Sequence, residues 1–408
     1  MLKQGIGAAV PPFRVMDVVR RANQRALTQP PGAPRILRME VGQPATGLPA
    51  GAARAAAAAL AAGDPMGYTE ALGRAALRER IAAHIAEWYG VEIPTARIAI
   101  TCGASGAFPL AFLSALHPGD TIALAAPYYP PYVNIATALG LKTQLLVCGP
   151  ETGFQPTVDM LQQLDPQPDA LLVASPANPT GSMLSPEDLA ALAIYCHGAG
   201  IRLISDEIYH GLTYGKPAAS AAEFSESAIV INSFSKYFSM TGWRVGWMVL
   251  PEDLVRLTER LSQNFFICAP HVSQVAAEAA FDCHEELRAN RARYEAARNI
   301  LLAGLPTCGF ENFSPPDGAF YVYLDTANHA PDSATFCDRL LDEAGIAATT
   351  GLDFDPVHGG GFFRLSYCAP LADIEEAISR LQALCGYESR QTPALHSRNS
   401  HPSLHHPS

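Results

Sequence analysis

ALLVASPANPTGSMLSPEDLAALAIYCHGAGIRLISDE, residues 170–207, holds one complete structural unit. An apolar run, Ala170–Ala174, ends in the turn Ser175-Pro176-Ala177-Asn178-Pro179-Thr180-Gly181. Ser185-Pro186-Glu187-Asp188 then reads as an N-cap, an N1 proline and first-turn acids, which predicts a helix over Ser185–Gly198. A second apolar run, Arg202–Ser205, closes the unit. Strand, helix and strand at this spacing make a βαβ crossover, and runs without alternation suit strands covered on both faces.

The same rhythm extends both ways. Further strands are expected at Arg97–Thr101, Thr121–Ala125, Gln144–Cys148, Ala228–Asn232 and Arg244–Leu250, with helices at Ala104–Leu116, Pro130–Leu139 and Val158–Leu164. Ala52–Ala62 is read as an alanine-rich helix rather than a linker. Beyond Pro251 the pattern shifts to long helices, Glu252–Asn264 and roughly Ser273–Leu302. An α+β segment follows, with strands near Ala319–Leu324 and Phe362–Tyr367 and helices near Ser333–Ala344 and Leu371–Leu384. The fold class is therefore α/β, a large domain with a mainly parallel sheet flanked by helices, plus a smaller α+β domain.

Composition narrows the function. The 408 residues are 49% hydrophobic and carry a formal net charge of −11, which excludes wholesale disorder and disfavours nucleic acid and anionic membranes as partners. Nine scattered cysteines form no C-x-x-C pair, so neither a zinc ribbon nor a disulfide framework is expected, and no metal. The N-terminal residues have no signal-peptide core, and no apolar stretch reaches about 18 residues, so a soluble cytoplasmic protein is expected. From Ser389 the sequence is polar and His-rich. His401, His405 and His406 could hold a metal, but a disordered tail is the simpler reading.

Only four of the 28 Lys+Arg residues are lysines: Lys3, Lys142, Lys216 and Lys236. Chemistry that needs an amine has few places to be. Lys236 stands in Ser233-Phe234-Ser235-Lys236, just after an apolar strand, with Arg244 following in Thr241-Gly242-Trp243-Arg244. Two hydroxyls, a lysine and an arginine so close can hold a phosphate and leave one amine for covalent work; alone they are equally an ordinary strand-end loop. Asp206 and Tyr209, in SDEIYHG, also follow a strand, where ligands gather in open parallel sheets, although an acid there is often only a turn residue. Asn178 sits in the proline-pinned turn, which by itself needs no function.

Taken in order, the NPTG turn, the DEIY segment and the S-x-S-K segment, all at strand ends, resemble the class I/II aminotransferases, fold-type-I enzymes of pyridoxal 5′-phosphate (PLP). The resemblance runs from about Pro11 to Leu384. It implies that Lys236 carries PLP as an aldimine, and that Asp206 pairs with the pyridinium nitrogen. Tyr209 and Asn178 would hydrogen-bond the 3′-oxygen. Ser233, Ser235 and Arg244 match phosphate-binding positions, as do the backbone N–H groups of Ala104 and Ser105 in the turn Thr101–Ala107. Tyr129 matches the aromatic stacked on the ring. Tyr68, in GYTEALG, matches a tyrosine that reaches the phosphate of a neighbouring subunit, so a homodimer with shared sites is implied.

Arg364 matches the arginine that grips the substrate α-carboxylate, a role suited to its planar fork. Gly42 corresponds to the G-x-P loop near the substrate, although Gln43 replaces the usual acid there. Pro316–Tyr321 also fits the pattern. The implied activity is transfer of an amino group from an α-amino acid to a 2-oxo acid, by a ping-pong route. Rivals on the same scaffold are a PLP-dependent β-lyase or synthase and, from another class, a non-catalytic PLP-binding regulator. The short N-terminus leaves little room for the DNA-binding segment that a regulator would carry. The expected division is an arm at 1–45 packing with the small domain, a PLP-binding domain at 46–285, a small domain at 286–386 and the tail at 387–408. Side-chain selectivity is expected from loops around Gly5–Arg14, Tyr68 and Asn264–His271. Some dicarboxylate-specific relatives place a lysine where Ser105 stands.

Overall fold

Residues 2–311 and 313–386 are described by a computed structural model; the histidines of the tail lie outside the described residues. Seven strands form one sheet: β1 (Ile98–Thr101), β2 (Thr121–Ala126), β3 (Lys142–Val147), β4 (Ala170–Ala174), β5 (Arg202–Asp206), β6 (Ile229–Ser233) and β7 (Gly246–Val249). Their order is β1-β7-β6-β5-β4-β2-β3. The strands β2 to β6 pair in parallel, whereas β7 runs against both of its neighbours, β6 and β1. Every run read as a strand of the large domain is in this sheet.

Alternate residues of each strand enter separate cores on the two faces. Ile122, Leu124, Leu172, Ile204, Ile231 and Met248 pack with Phe108 and Phe112 on one side. Ala123, Leu171, Val173, Leu203, Val230 and Trp247 pack on the other with Leu189, Leu192 and Cys196. This double covering is why the strands lack polar alternation. The helices that matter for the site are α1 (Arg14–Thr28), α2 (Ala104–Ala115), α3 (Pro131–Ala138), α4 (Pro186–Ala199) and α5 (Ser333–Asp342). The Ser185 hydroxyl caps α4 by accepting the Asp188 N–H at 3.0 Å.

A second, antiparallel sheet joins Thr349–Thr350, Phe362–Ser366 and Tyr321–Asp325 in that spatial order. Leu37–Arg38 pairs with Ile346–Ala347, so the N-terminal segment is stitched to the C-terminal part of the chain. One expectation needs correction. The stretch Ser273–Leu302 is not a single helix but two, His271–Ala280 and His284–Gly304. Phe281 is buried in an aromatic group with His84, Phe234 and Phe238. After it Cys283 becomes an N-cap, with Glu285 and Glu286 in the first turn beyond, where acids favour a new helix start. Among the described residues no helix is long and apolar enough to cross a membrane.

Candidate active site

The carboxyl ends of β1, β2, β4, β5 and β6 open onto one cavity at the sheet edge. Because β7 is reversed, the residue shortly before it, Arg244, arrives at that same edge. Gly42, Ala104, Ser105, Tyr129, Asn178, Tyr209, Ser233, Ser235, Lys236, Arg244 and Arg364 all line the cavity. Asp206 lies beneath its floor, only 2% exposed.

One end of the cavity is an anion cradle. Gly103, at φ +69°, caps α2 and leaves the first helical N–H groups, those of Ala104 and Ser105, without partners inside the helix. A Cβ at Gly103 would collide with the Arg244 guanidinium, so only glycine permits this approach. Arg244 itself adopts a left-handed conformation, φ 52° and ψ 52°. Its Nη1 reaches the Thr241 carbonyl at 3.0 Å and the Ser235 hydroxyl at 3.5 Å, while Nη2 reaches the Ser105 hydroxyl at 3.3 Å. Ser233 donates to Ser235 at 3.0 Å. Helix N–H groups, two serines and a guanidinium converging here suit a phosphate dianion.

In the middle stand an amine and a carboxylate. Lys236 donates to the Gly42 carbonyl at 2.6 Å, and burial lowers its pKa to about 8. Burial raises Asp206 to about 6, opposed by the hydroxyl of Tyr132 on Oδ2, by the Ile208 N–H at 3.1 Å on Oδ1 and by Lys236. A carboxylate desolvated in this way is best ionised beside a cation such as a protonated ring nitrogen. Tyr209 and Tyr321 share a 2.8 Å hydrogen bond between hydroxyls.

At the far end Arg364 is 4% exposed and lies between the rings of Tyr321 and Phe354, at 4.5 and 4.7 Å. Its Nη1 donates to Asn178 Oδ1 at 2.7 Å, and its Nη2 to the carbonyl of Glu40. Its Nε has no partner among the described residues, and no carboxylate there forms an ion pair with it. A buried guanidinium held by neutral acceptors is built to receive an anion.

These groups therefore fit the cofactor that the sequence implies: cradle, amine, carboxylate and hydroxyls stand in order along one cavity. Tyr68 stands apart. It is 83% exposed, on a segment tied to the helix His271–Ala280 by the His271 ring donating to the Gly67 carbonyl at 2.9 Å. The Asn264–His271 loop belongs to that region and does not line the cavity of its own chain. Sequence reasoning missed Tyr132, although it follows Tyr129 by one helical turn. It also missed the Tyr321–Phe354 sandwich and the wall formed by Phe13, Val15 and Met16.

A family model described as aminotransferase class I and II matches residues 34–381. A valine–pyruvate aminotransferase of Mycobacterium tuberculosis is 46% identical over 378 residues, 92% of this chain and 96% of the relative. Among solved structures, an aminotransferase from Mycobacterium tuberculosis superposes with a TM-score of 0.92 at 45% identity, covering 95% of this chain and 100% of the other. The aspartate aminotransferase of Thermus thermophilus with maleate gives 0.87 at 30% identity, covering 94% and 100%.

Proposed function

The chain belongs to the class I and II aminotransferase family and is a PLP-dependent aminotransferase; from that premise we propose that it moves the amino group of an apolar α-amino acid, such as valine, to pyruvate. One observation carries the reading. Among the described residues the lining cations are Lys236, Arg244 and Arg364, which serve in turn as the amine, the phosphate ligand and the α-carboxylate clamp. The wall left for a side chain, Phe13, Val15, Met16, Pro131 and Ile135, is apolar. A second carboxylate would be buried there without a partner, at a cost of several kcal/mol. The name of the mycobacterial relative points the same way.

When bound, PLP supplies an electron sink for the charge left on the substrate Cα. The residues supply the rest. Arg244, Ser105, Ser235 and the α2 N–H groups would hold the phosphate, and Ser233 supports Ser235. The Asp206 carboxylate would hold a proton on the ring nitrogen, which would make the sink effective. Asn178 and Tyr209 would hydrogen-bond the 3′-oxygen, and Tyr129 would supply the aromatic against the ring. Lys236 would tether the cofactor, and its amine, which burial already makes easier to deprotonate, would carry the proton at the substrate Cα. Arg364 and Asn178 hold the α-carboxylate, with Gly42 closing that side.

We also read residues 46–285 as the cofactor domain and 286–386, joined by 1–45, as the small domain. The pairing of Leu37–Arg38 with Ile346–Ala347 supports that division. A cytoplasmic homodimer is the corresponding assembly. Exposed Tyr68, Phe265 and Ile267 supply an apolar surface for a partner copy, and Tyr68 would reach the partner's phosphate site. The experiment is a donor and acceptor screen. Valine with pyruvate should exceed aspartate with 2-oxoglutarate by at least about tenfold in kcat/KM. Preference for the dicarboxylate pair would overturn the reading.

A further inference from the structure

The wall that faces a donor side chain comes from the first turn of α1, and that turn is held in an unusual way. The α1 N-cap is Phe13, which has no side chain able to cap. The first helical N–H groups are satisfied instead by a residue 339 positions away: Arg14 N donates to Asp353 Oδ1 at 3.0 Å, and Val15 N to Asp353 Oδ2 at 3.1 Å. Both carboxylate oxygens are used, and Asp353 is buried.

Asp353 ends a tight turn, Gly351–Asp353, that is fixed on every side. Phe354 and Asp355 both donate to the Gly351 carbonyl at 2.9 Å, and the Phe354 carbonyl accepts from Tyr128 N at 2.9 Å. A Cβ at Gly351 would meet the carbonyls of Gly359 and Phe362 at 2.5 Å, so the turn packs closely against both. The strand residue Thr349, just upstream, is paired with Arg364, and the ring of Phe354 covers the Arg364 guanidinium. The turn that shapes the carboxylate clamp therefore also holds the helix that forms the side-chain wall.

Other contacts of α1 grip its far half. Arg21 meets Asp338 at 2.5 Å and Arg25 meets Asp342 at 2.9 Å, both exposed pairs with α5. Ala22 packs with Ile36, Leu341 and Ala347. Exposed pairs of this kind add little. At the beginning of the helix, where Phe13, Val15 and Met16 stand, Asp353 holds the backbone, and the Phe13 ring also meets that of Tyr129 edge-on at 6.0 Å.

We propose that Asp353 is a positioning residue for donor selection: it sets the distance between the Arg364 clamp and the apolar wall of Phe13, Val15 and Met16. This rests on the reading of an apolar donor given above. A donor touches the clamp with its carboxylate and the wall with its side chain, so a loosened wall penalises long side chains and spares short ones.

The test compares Asp353→Ala and Asp353→Asn with the wild-type holoenzyme, using valine and alanine as donors. In Asp353→Ala the KM for valine should rise about tenfold, kcat should change less than about twofold, and KM for alanine should rise less than about twofold. Asn keeps one acceptor oxygen, so Asp353→Asn should fall between. In parallel, amide hydrogen exchange of the peptide around residues 13–20 should speed up in the apo and holo forms of both variants, with PLP affinity unchanged. Unchanged exchange in that peptide, or equal rises in KM for valine and alanine, would overturn the proposal. If the wild type prefers a charged donor, the donor reading falls, and the exchange result alone decides whether Asp353 anchors the helix.

Discussion

The phenolic hydroxyl of Tyr132 donates to Oδ2 of Asp206; both side chains are buried, and Tyr132 lines the cavity. Burial works against the charge on Asp206; Tyr132, the Ile208 N–H and Lys236 oppose that effect in part. Tyr132 is thereby part of the apparatus that keeps a carboxylate anionic in a dry place, although it need not touch the reacting atoms.

Removing that hydroxyl in Tyr132→Phe should raise the pKa of Asp206 further, because a donor to the charged form is lost. The acid limb of the kcat/KM profile should move to higher pH. At neutral pH, kcat should fall by about tenfold to a hundredfold, the range expected for one hydrogen bond to a charged group. A pH profile that superposes on that of the wild type would dismiss the role.

Arg364→Lys keeps the charge and loses the fork. The rings of Tyr321 and Phe354, which flank a planar group, would be left around a flexible ammonium. Amino acids should bind at least about tenfold more weakly, whereas amines without a carboxylate should react as before. Steady-state KM values for valine and for isobutylamine make the comparison.

Glu207 is a buried acid behind the site. Its Oε1 accepts from Ser205 at 2.9 Å and from Ala221 N at 2.8 Å, and burial raises its pKa to about 7. A group raised in the folded state binds more protons there than when unfolded, so its contribution to stability falls as pH rises from about 4.5 to 7. The neighbouring His210, lowered to about 4 by burial, has the opposite slope. Glu207→Gln removes the first effect and leaves the second. Relative to wild type, the variant apoprotein should gain stability between pH 5 and pH 7.5 in urea unfolding. A constant difference across that range would contradict the assignment.

Tyr68 tests the shared site. In heterodimers that carry Tyr68→Phe on one subunit and Lys236→Ala on the other, a crossing tyrosine puts both lesions in one site and leaves the other intact. With both changes on one subunit, no intact site remains. PLP affinity of the competent site should therefore be wild-type in the first pairing and weaker in the second. The reverse pattern would mean that Tyr68 serves its own chain.

The sheet and most of the residues gathered at the cavity were legible because each is encoded locally. Asp206 and Lys236 stand at or just after the ends of apolar strands, and a strand end fixes where they point. What escaped the sequence depends on distant partners. Nothing near Asp353 marks it as the cap of a helix that begins at Arg14, and nothing near Tyr132 names Asp206 as its acceptor. The break at Phe281–Cys283 was invisible for a similar reason. Helical periodicity continues through it, and only the packing of Phe281 against Phe234 and Phe238 interrupts the chain there.

The reversed direction of β7 has a mechanical outcome. Strands β6 and β7 are hydrogen-bonded neighbours joined by a single connection, and that connection carries both Lys236 and Arg244. If Lys236 and Arg244 hold the cofactor as proposed, its two ends would be fastened to one bracket. Arg364 hangs on a different sheet. Flexing between the sheets would slide the donor over the ring, while the span from tether to phosphate stays fixed.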